Sequence, residues 1–389
     1  MKEAVYNDSD RQTDRQTDRQ TDRQTDRVEE YNVIRALLMV LVVLGHCTYY
    51  KISTLYGGIN YEILMQNAGI ADTFIHKIAS MLTTAIYSFH MPLFMALSGA
   101  VFSLSVNHGK YKDFAKFLKN KVHRLLLPFV FVTLLVSFPL KYLAGYWQYS
   151  DNILRDVIIG QLFLQGNSHL WFLATLFIEF FLFWLVVNKF KWHEKYLACL
   201  LVLSIIHFAG SFLAINILKY TCQFGIWFYL GMLWNENREQ LNNKINFITC
   251  IFVIVFWIIS LIASYYLKMP TGIIRIIHAV ITYLAAVLGM IMFYSICYIA
   301  YKKNKLNRKI INMLAADSMG IYLYSDALNY SLLALFTGAF GINCFDNEYF
   351  AGGLYVTRFI ATFAFGVIIT RCMRIMNGKL ISKVGGVNG

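Results

Sequence analysis

The stretch VIRALLMVLVVLGHCTYY, Val33 to Tyr50, is apolar enough to sit in a lipid bilayer, yet it carries an arginine, Arg35, and a histidine, His46. Ionisable groups at membrane depth are costly, and by default they mark a functional site. On an α-helix the eleven steps between them amount to roughly 20° of net rotation and about 17 Å of rise. Both side chains therefore project from one face, Arg35 near one membrane surface and His46 about half a bilayer deeper. One helix face then links the two sides of a membrane chemically.

The remainder of the chain has the same character. Of 389 residues, 58% are apolar and only 15% charged, with a mean hydropathy of +0.51; soluble domains carry about 25% charged residues. The class is an all-α polytopic membrane protein. Apolar runs at 33–50, 80–105, 124–143, 169–188, 196–215, 220–234, 246–267, 275–300, 311–338 and 354–370 predict ten transmembrane helices. The run at 220–234 is short of the ~20 residues a span needs. With the N-terminus in the cytoplasm, the cytoplasmic loops and tail hold 20 Lys and Arg and the opposite loops hold 7. That is the positive-inside asymmetry, and it predicts that both termini are cytoplasmic. The net charge of +13 mostly reports topology, so no nucleic-acid partner is expected.

The seven cysteines fall mainly inside spans, in no metal-ligand spacing, and no metal is expected. Only Cys47 and Cys344 can reach an outer, oxidising face, where a bridge between them is possible. The first apolar run follows a long polar arm and lacks a small-residue cleavage site, so no cleavable signal is expected. Within that arm, Asp10 to Arg27 repeats DRQT and ends on DR. The unit is charged and free of apolar residues, so it predicts disorder. A repeated tetranucleotide such as GACA encodes a four-residue period of this kind, and slippage by one unit shifts the reading frame. The repeat therefore predicts on/off switching of expression. The expected organisation is a polar arm at 1–30, a membrane domain at 31–376 and a short cytoplasmic tail at 377–389.

Besides Arg35 and His46, four local patterns stand out. They are SFHMPLFMALSG (Ser88 to Gly99), KNKVHRLLLP (Lys119 to Pro128), HLWFLATLFIEF (His169 to Phe180) and GIYLYSDAL (Gly320 to Leu328). In this order and spacing, over about residues 30 to 375, the chain resembles the acyltransferase 3 family of integral-membrane O-acyltransferases. The resemblance implies transfer of acetyl from cytoplasmic acetyl-CoA to a sugar hydroxyl of a surface glycan or its lipid-linked oligosaccharide precursor. The implied setting is a bacterial inner membrane. Arg35 and His46 match the family's essential arginine and histidine. Lys121 and Arg124 fall where the family usually has two arginines, and Lys121 offers a point charge rather than a bidentate fork. Many relatives place a histidine after the YL pair of span nine; here Tyr324, Ser325 and Asp326 follow, and no histidine role is transferred.

The chemistry of the residues runs alongside. Acyl transfer to a hydroxyl needs a base within hydrogen-bonding reach, and histidine suits neutral pH. His46, on the outer side, is the expected base; Arg35, near the inner surface, is the expected holder of the donor's phosphates or thioester end. Lys121 and Arg124 adjoin a basic loop suited to the phosphates of acetyl-CoA. His90, beside Pro92, together with His169 and Trp171, is expected on the acceptor side. Glu179 lies deep in span four and needs a partner, with Arg35, His46 or His90 expected, and joins the catalytic set. Asp317 and Asp326 with Arg358 are expected to form a separate buried group of structural role. The sequence has no P-loop, zinc spacing or nucleophile elbow. A transporter or flippase of a lipid-linked sugar is the rival reading, which leaves Arg35 and His46 unexplained.

Overall fold

The computed structural model describes residues 28–48, 50, 57–70, 73–166, 168–190, 195–267 and 272–385, with the helix path alone from 376. The DRQT arm lies outside the described residues. Among those described there is no strand, and ten long helices carry the fold. They are α1 (Glu29–Cys47), α2 (Phe74–Asn107), α3 (Phe114–Leu143), α4 (Trp171–Phe190), α5 (Tyr196–Phe212), α6 (Asn216–Glu236), α7 (Phe247–Tyr266), α8 (Ile273–Lys302), α9 (Arg308–Phe340) and α10 (Glu348–Gly385). Each coincides with one expected apolar run. Seven of them are long and apolar enough to cross a membrane; α5, α6 and α9 are not among the seven. The helix α5 is short. By contrast, α9 is polar because it buries Asp317, Ser318, Ser325, Asp326, Asn329 and Ser331. Its polar side chains face protein, which is where a membrane helix can carry them.

The bundle is organised around α1, whose Val33, Ile34, Leu38, Met39, Val42 and Val43 are buried. It packs against α2, α8, α9 and α10. The most extensive contact in the fold is α2 against α6. Two glycines permit it. A Cβ on Gly99 would sit 1.9 Å from the Phe228 carbonyl oxygen, and one on Gly231 would sit 1.8 Å from that of Ala96. Small residues let membrane helices bring their backbones together in this way. The pair α7 and α8 lies at the rim, with Phe252, Phe256, Ile259 and Ile262 of α7 turned outward as lipid-facing residues are.

Two prolines shape α3. The segments Val122–Leu126 and Thr133–Ser137 are π-helical, and Pro128 and Pro139 lie just inside the α-helical turns that follow. A proline cannot donate to the helix ladder, and a π turn absorbs the lost register. In α2, Pro92 is accommodated inside one continuous helix. All seven cysteines are free; Cys47 is buried with its Sγ 3.7 Å from Thr362 Oγ1, and no bridge joins it to Cys344.

Candidate active site

The C-terminal turn of α1 delivers His46 to the wall of a cavity of about 760 Å³. Its other walls come from several helices. Tyr87, Ser88 and His90 of α2 line it, as do Tyr220, Gln223 and Phe224 of α6 and Tyr322, Asp326 and Tyr330 of α9. His169 and Trp171 enter at the start of α4, and His207 of α5 and His278 of α8 close the far side.

The central contact is between His46 and Asp326. The Nδ1 of His46 lies 2.9 Å from Oδ1 of Asp326, which is wholly buried. A carboxylate only accepts, so Nδ1 is the protonated nitrogen facing it, and in the neutral ring Nε2 is the basic nitrogen. The other carboxylate oxygen, Oδ2, lies 3.4 Å from Nδ1 of His169. Asp326 thus sits between two imidazoles. Tyr322 of the same helix donates its hydroxyl to the His169 carbonyl at 2.5 Å, which fixes the entry to α4. His90 donates from Nδ1 to the Ile86 carbonyl at 3.0 Å, which in the neutral ring leaves Nε2 as the acceptor nitrogen. The Tyr87 ring packs edge-on against His90 at 4.5 Å and lies 6.4 Å from the His46 ring. Trp171 packs at a tilt against Tyr220 at 4.6 Å and Phe224 at 4.9 Å, presenting an aromatic wall. The arrangement offers an oriented base, a second base nearby and apolar faces for a ring-shaped ligand.

Of the residues singled out from sequence, the cavity gathers His46, His90, His169 and Trp171. Arg35, Lys121, Arg124 and Glu179 do not line it. Arg35 is half-buried, about 17 Å along α1 from His46. Lys121 is buried, its ammonium 3.3 Å from the centre of the Phe180 ring and 3.3 Å from the Tyr111 hydroxyl. Arg124 is exposed, as are Lys110, Lys112, Lys116 and Lys119. In the same loop Asp113 caps α3 by accepting from the Lys116 backbone N–H at 3.2 Å. That bond holds the Asp113 carboxyl below the usual carboxylate range.

Two expectations about carboxylates need correction. Glu179 does not pair with Arg35, His46 or His90. It lies about 12 Å along α4 from Trp171 and turns toward α6, its Oε2 3.3 Å from where a Cβ on Gly225 would stand. Its Oε1 has no hydrogen-bond partner among the described residues. Nor do Asp317, Asp326 and Arg358 form one group. Asp317 receives Arg371 at 3.2 Å and Arg374 at 2.7 Å, Arg358 donates to Asn329 at 2.7 Å, and Asp326 belongs to His46. The helix α9 is long enough to carry its two aspartates to different depths, about 14 Å apart along the axis.

The family model of the acyltransferase domain matches residues 28–372, nearly the whole of the described fold. The chain belongs to the acyltransferase 3 family. This acyltransferase 3 protein is also similar to nodulation protein NolL of Sinorhizobium fredii, at 26% identity over 213 residues, 55% of this chain and 50% of that one. The match therefore spans about half the length of that relative. No solved structure matches the chain. Among the described residues no group of three or more His, Cys, Asp or Glu is arranged to hold a metal ion.

Sequence reasoning missed Asp326 as a member of the candidate site, along with Tyr87, His207 and His278. Asp326 had a legible signal, since a carboxylate inside an apolar run must find a partner in the bundle. The identity of that partner was not legible, because α1 and α9 meet only in the folded chain.

Proposed function

We propose that the protein is a multi-pass O-acetyltransferase of the bacterial inner membrane. It would move acetyl from cytoplasmic acetyl-CoA to a sugar hydroxyl of a cell-surface glycan or its lipid-linked precursor. The observation that carries this reading is the His46–Asp326 contact on the wall of the cavity. In the proposed reaction, Nε2 of His46 takes the proton from the sugar hydroxyl as its oxygen attacks the thioester carbonyl carbon. The new C–O bond forms, the C–S bond breaks, and the leaving thiolate takes the proton back from Nε2. Asp326, held on its far side by His169, keeps the imidazole in the right tautomer and stabilises the imidazolium that forms. Trp171 and His90 contact the sugar.

The donor is assigned to the other end of the bundle. There Arg35 and Arg124, with the exposed lysines beside it, attract the phosphates, and Lys121 braces the loop through its aromatic cage. In this reading all ten helices cross the membrane with both termini cytoplasmic, and the DRQT repeat switches expression on and off.

Purified protein in lipid nanodiscs, given labelled acetyl-CoA and a glycan acceptor, tests the reading. The label is expected in a base-labile ester, and His46→Ala is expected to lower the rate by about 10²–10⁴-fold. Normal transfer by His46→Ala removes the base assignment. Movement of a lipid-linked sugar without esterification favours a flippase.

A further inference from the structure

The helix α1 stops one residue past His46. A helix end leaves its last four carbonyls without an intrahelical partner, and that of His46 is one of them. Within the cap, the Thr48 backbone N–H turns back on the Gly45 and His46 carbonyls and holds the last turn locally. Asn329 adds a hold from outside the helix, its Nδ2 donating to the His46 carbonyl at 2.7 Å. The same amide accepts at Oδ1 from Nε of Arg358, again at 2.7 Å. The amide orientation is forced. The carbonyl of His46 needs a donor and the guanidinium needs an acceptor, so only one flip of Asn329 serves both.

The placement of these groups is unusual for hydrocarbon depth. Asn329 is 1% exposed and Arg358 is 0% exposed. The guanidinium carbon of Arg358 also lies 5.4 Å from the centre of the Tyr50 ring, four residues after His46 in sequence. Asn329 stands three residues after Asp326, on the same face of α9. One helix thus holds His46 twice, by its ring through the carboxylate and by its main chain through the amide. A ring held at both points keeps one orientation toward the cavity.

We propose that Asn329 and Arg358 are positioning residues for His46, setting the main chain of the base so that Nε2 meets the acceptor hydroxyl. The proposal rests on the reading of His46 as the base. Misplacing a reacting group by about 1 Å costs on the order of 10²-fold in rate, so the expected effects are on kcat.

The test compares Asn329→Asp, Arg358→Gln, Arg358→Leu and His46→Ala in the full-length protein in nanodiscs, with labelled acetyl-CoA and a glycan acceptor. Asn329→Asp keeps an acceptor for Arg358 but replaces the donor facing the His46 carbonyl with a second oxygen. The expected result is wild-type folded yield, an unchanged KM for acetyl-CoA and a kcat lowered by about 10- to 100-fold. Arg358→Gln can still donate to Asn329 and is expected to keep most of the kcat, while Arg358→Leu loses it. A folded Asn329→Asp or Arg358→Leu with kcat within about twofold of wild type overturns the proposal. If His46→Ala is inactive in the same assay, that outcome defeats the positioning alone. If His46→Ala is active, the base reading itself fails.

Discussion

Asp326 and His46 come from helices far apart in the chain, and their contact is the feature on which the site turns. Replacing Asp326 with Asn leaves shape and volume nearly unchanged but removes the negative charge beside the imidazole, and the amide NH2 can face Nδ1 and favour the wrong tautomer. Asp326→Asn is expected to lower the rate of acetyl transfer by about 10²–10⁴-fold at unchanged membrane abundance; labelled-acetyl turnover per unit of folded protein measures it. Glu179 gives the opposite expectation. It sits against Gly225, and its Oε1 has no hydrogen-bond partner among the described residues, so Glu179→Gln is expected to keep both folded yield and turnover within about twofold, by the small effect of isosteric change at such a group. A large loss of turnover in that variant would return Glu179 to the catalytic set. The contrast shows what residue-level reading of a sequence supplies. The periodicity joining Arg35 to His46 is intrahelical and was legible. The pairing of Asp326 with His46, and the seating of Glu179 against Gly225, depend on which faces meet.

At the scale of the element, the ten apolar runs were legible because a span must be long and apolar, and each became a helix. The π turns in α3 were not, since a proline signals a break in the ladder without saying how the chain repairs it. The crossing of α2 and α6 was equally hidden, because a glycine in a sequence does not name the backbone it will touch. Gly99→Ala and Gly231→Ala each drive a Cβ into a carbonyl oxygen, and each is expected to destabilise the bundle by about 1–3 kcal/mol or more. Loss of folded yield and a lower unfolding midpoint in detergent would report it. Ala at Gly338, which has open space around it, is the control and is expected to be silent.

For the whole molecule, the asymmetry of Lys and Arg makes a prediction that geometry alone does not. A green fluorescent protein fused after Gly389 is expected to fluoresce, and alkaline phosphatase inserted near Tyr149 or Asp346 is expected to be active, as cytoplasmic and outer locations require. Dark C-terminal fusions with active phosphatase there would invert the topology and with it the assignment of donor and acceptor sides. The cavity has a further consequence. The His46 side chain is 15% exposed, and it shares its cavity wall with the rings of Tyr87, His90 and Tyr330. Water is the rival nucleophile for any activated acyl group, present at overwhelming concentration wherever a site is open. On the proposed reading, an acceptor sugar that fills the cavity displaces water from the ring-lined wall around His46, so the partition between ester and free acetate is expected to favour the ester. Opening that wall, with Tyr87→Ala, is expected to raise acetate release relative to ester formed. An unchanged ratio would mean that selection against water is made elsewhere in the bundle.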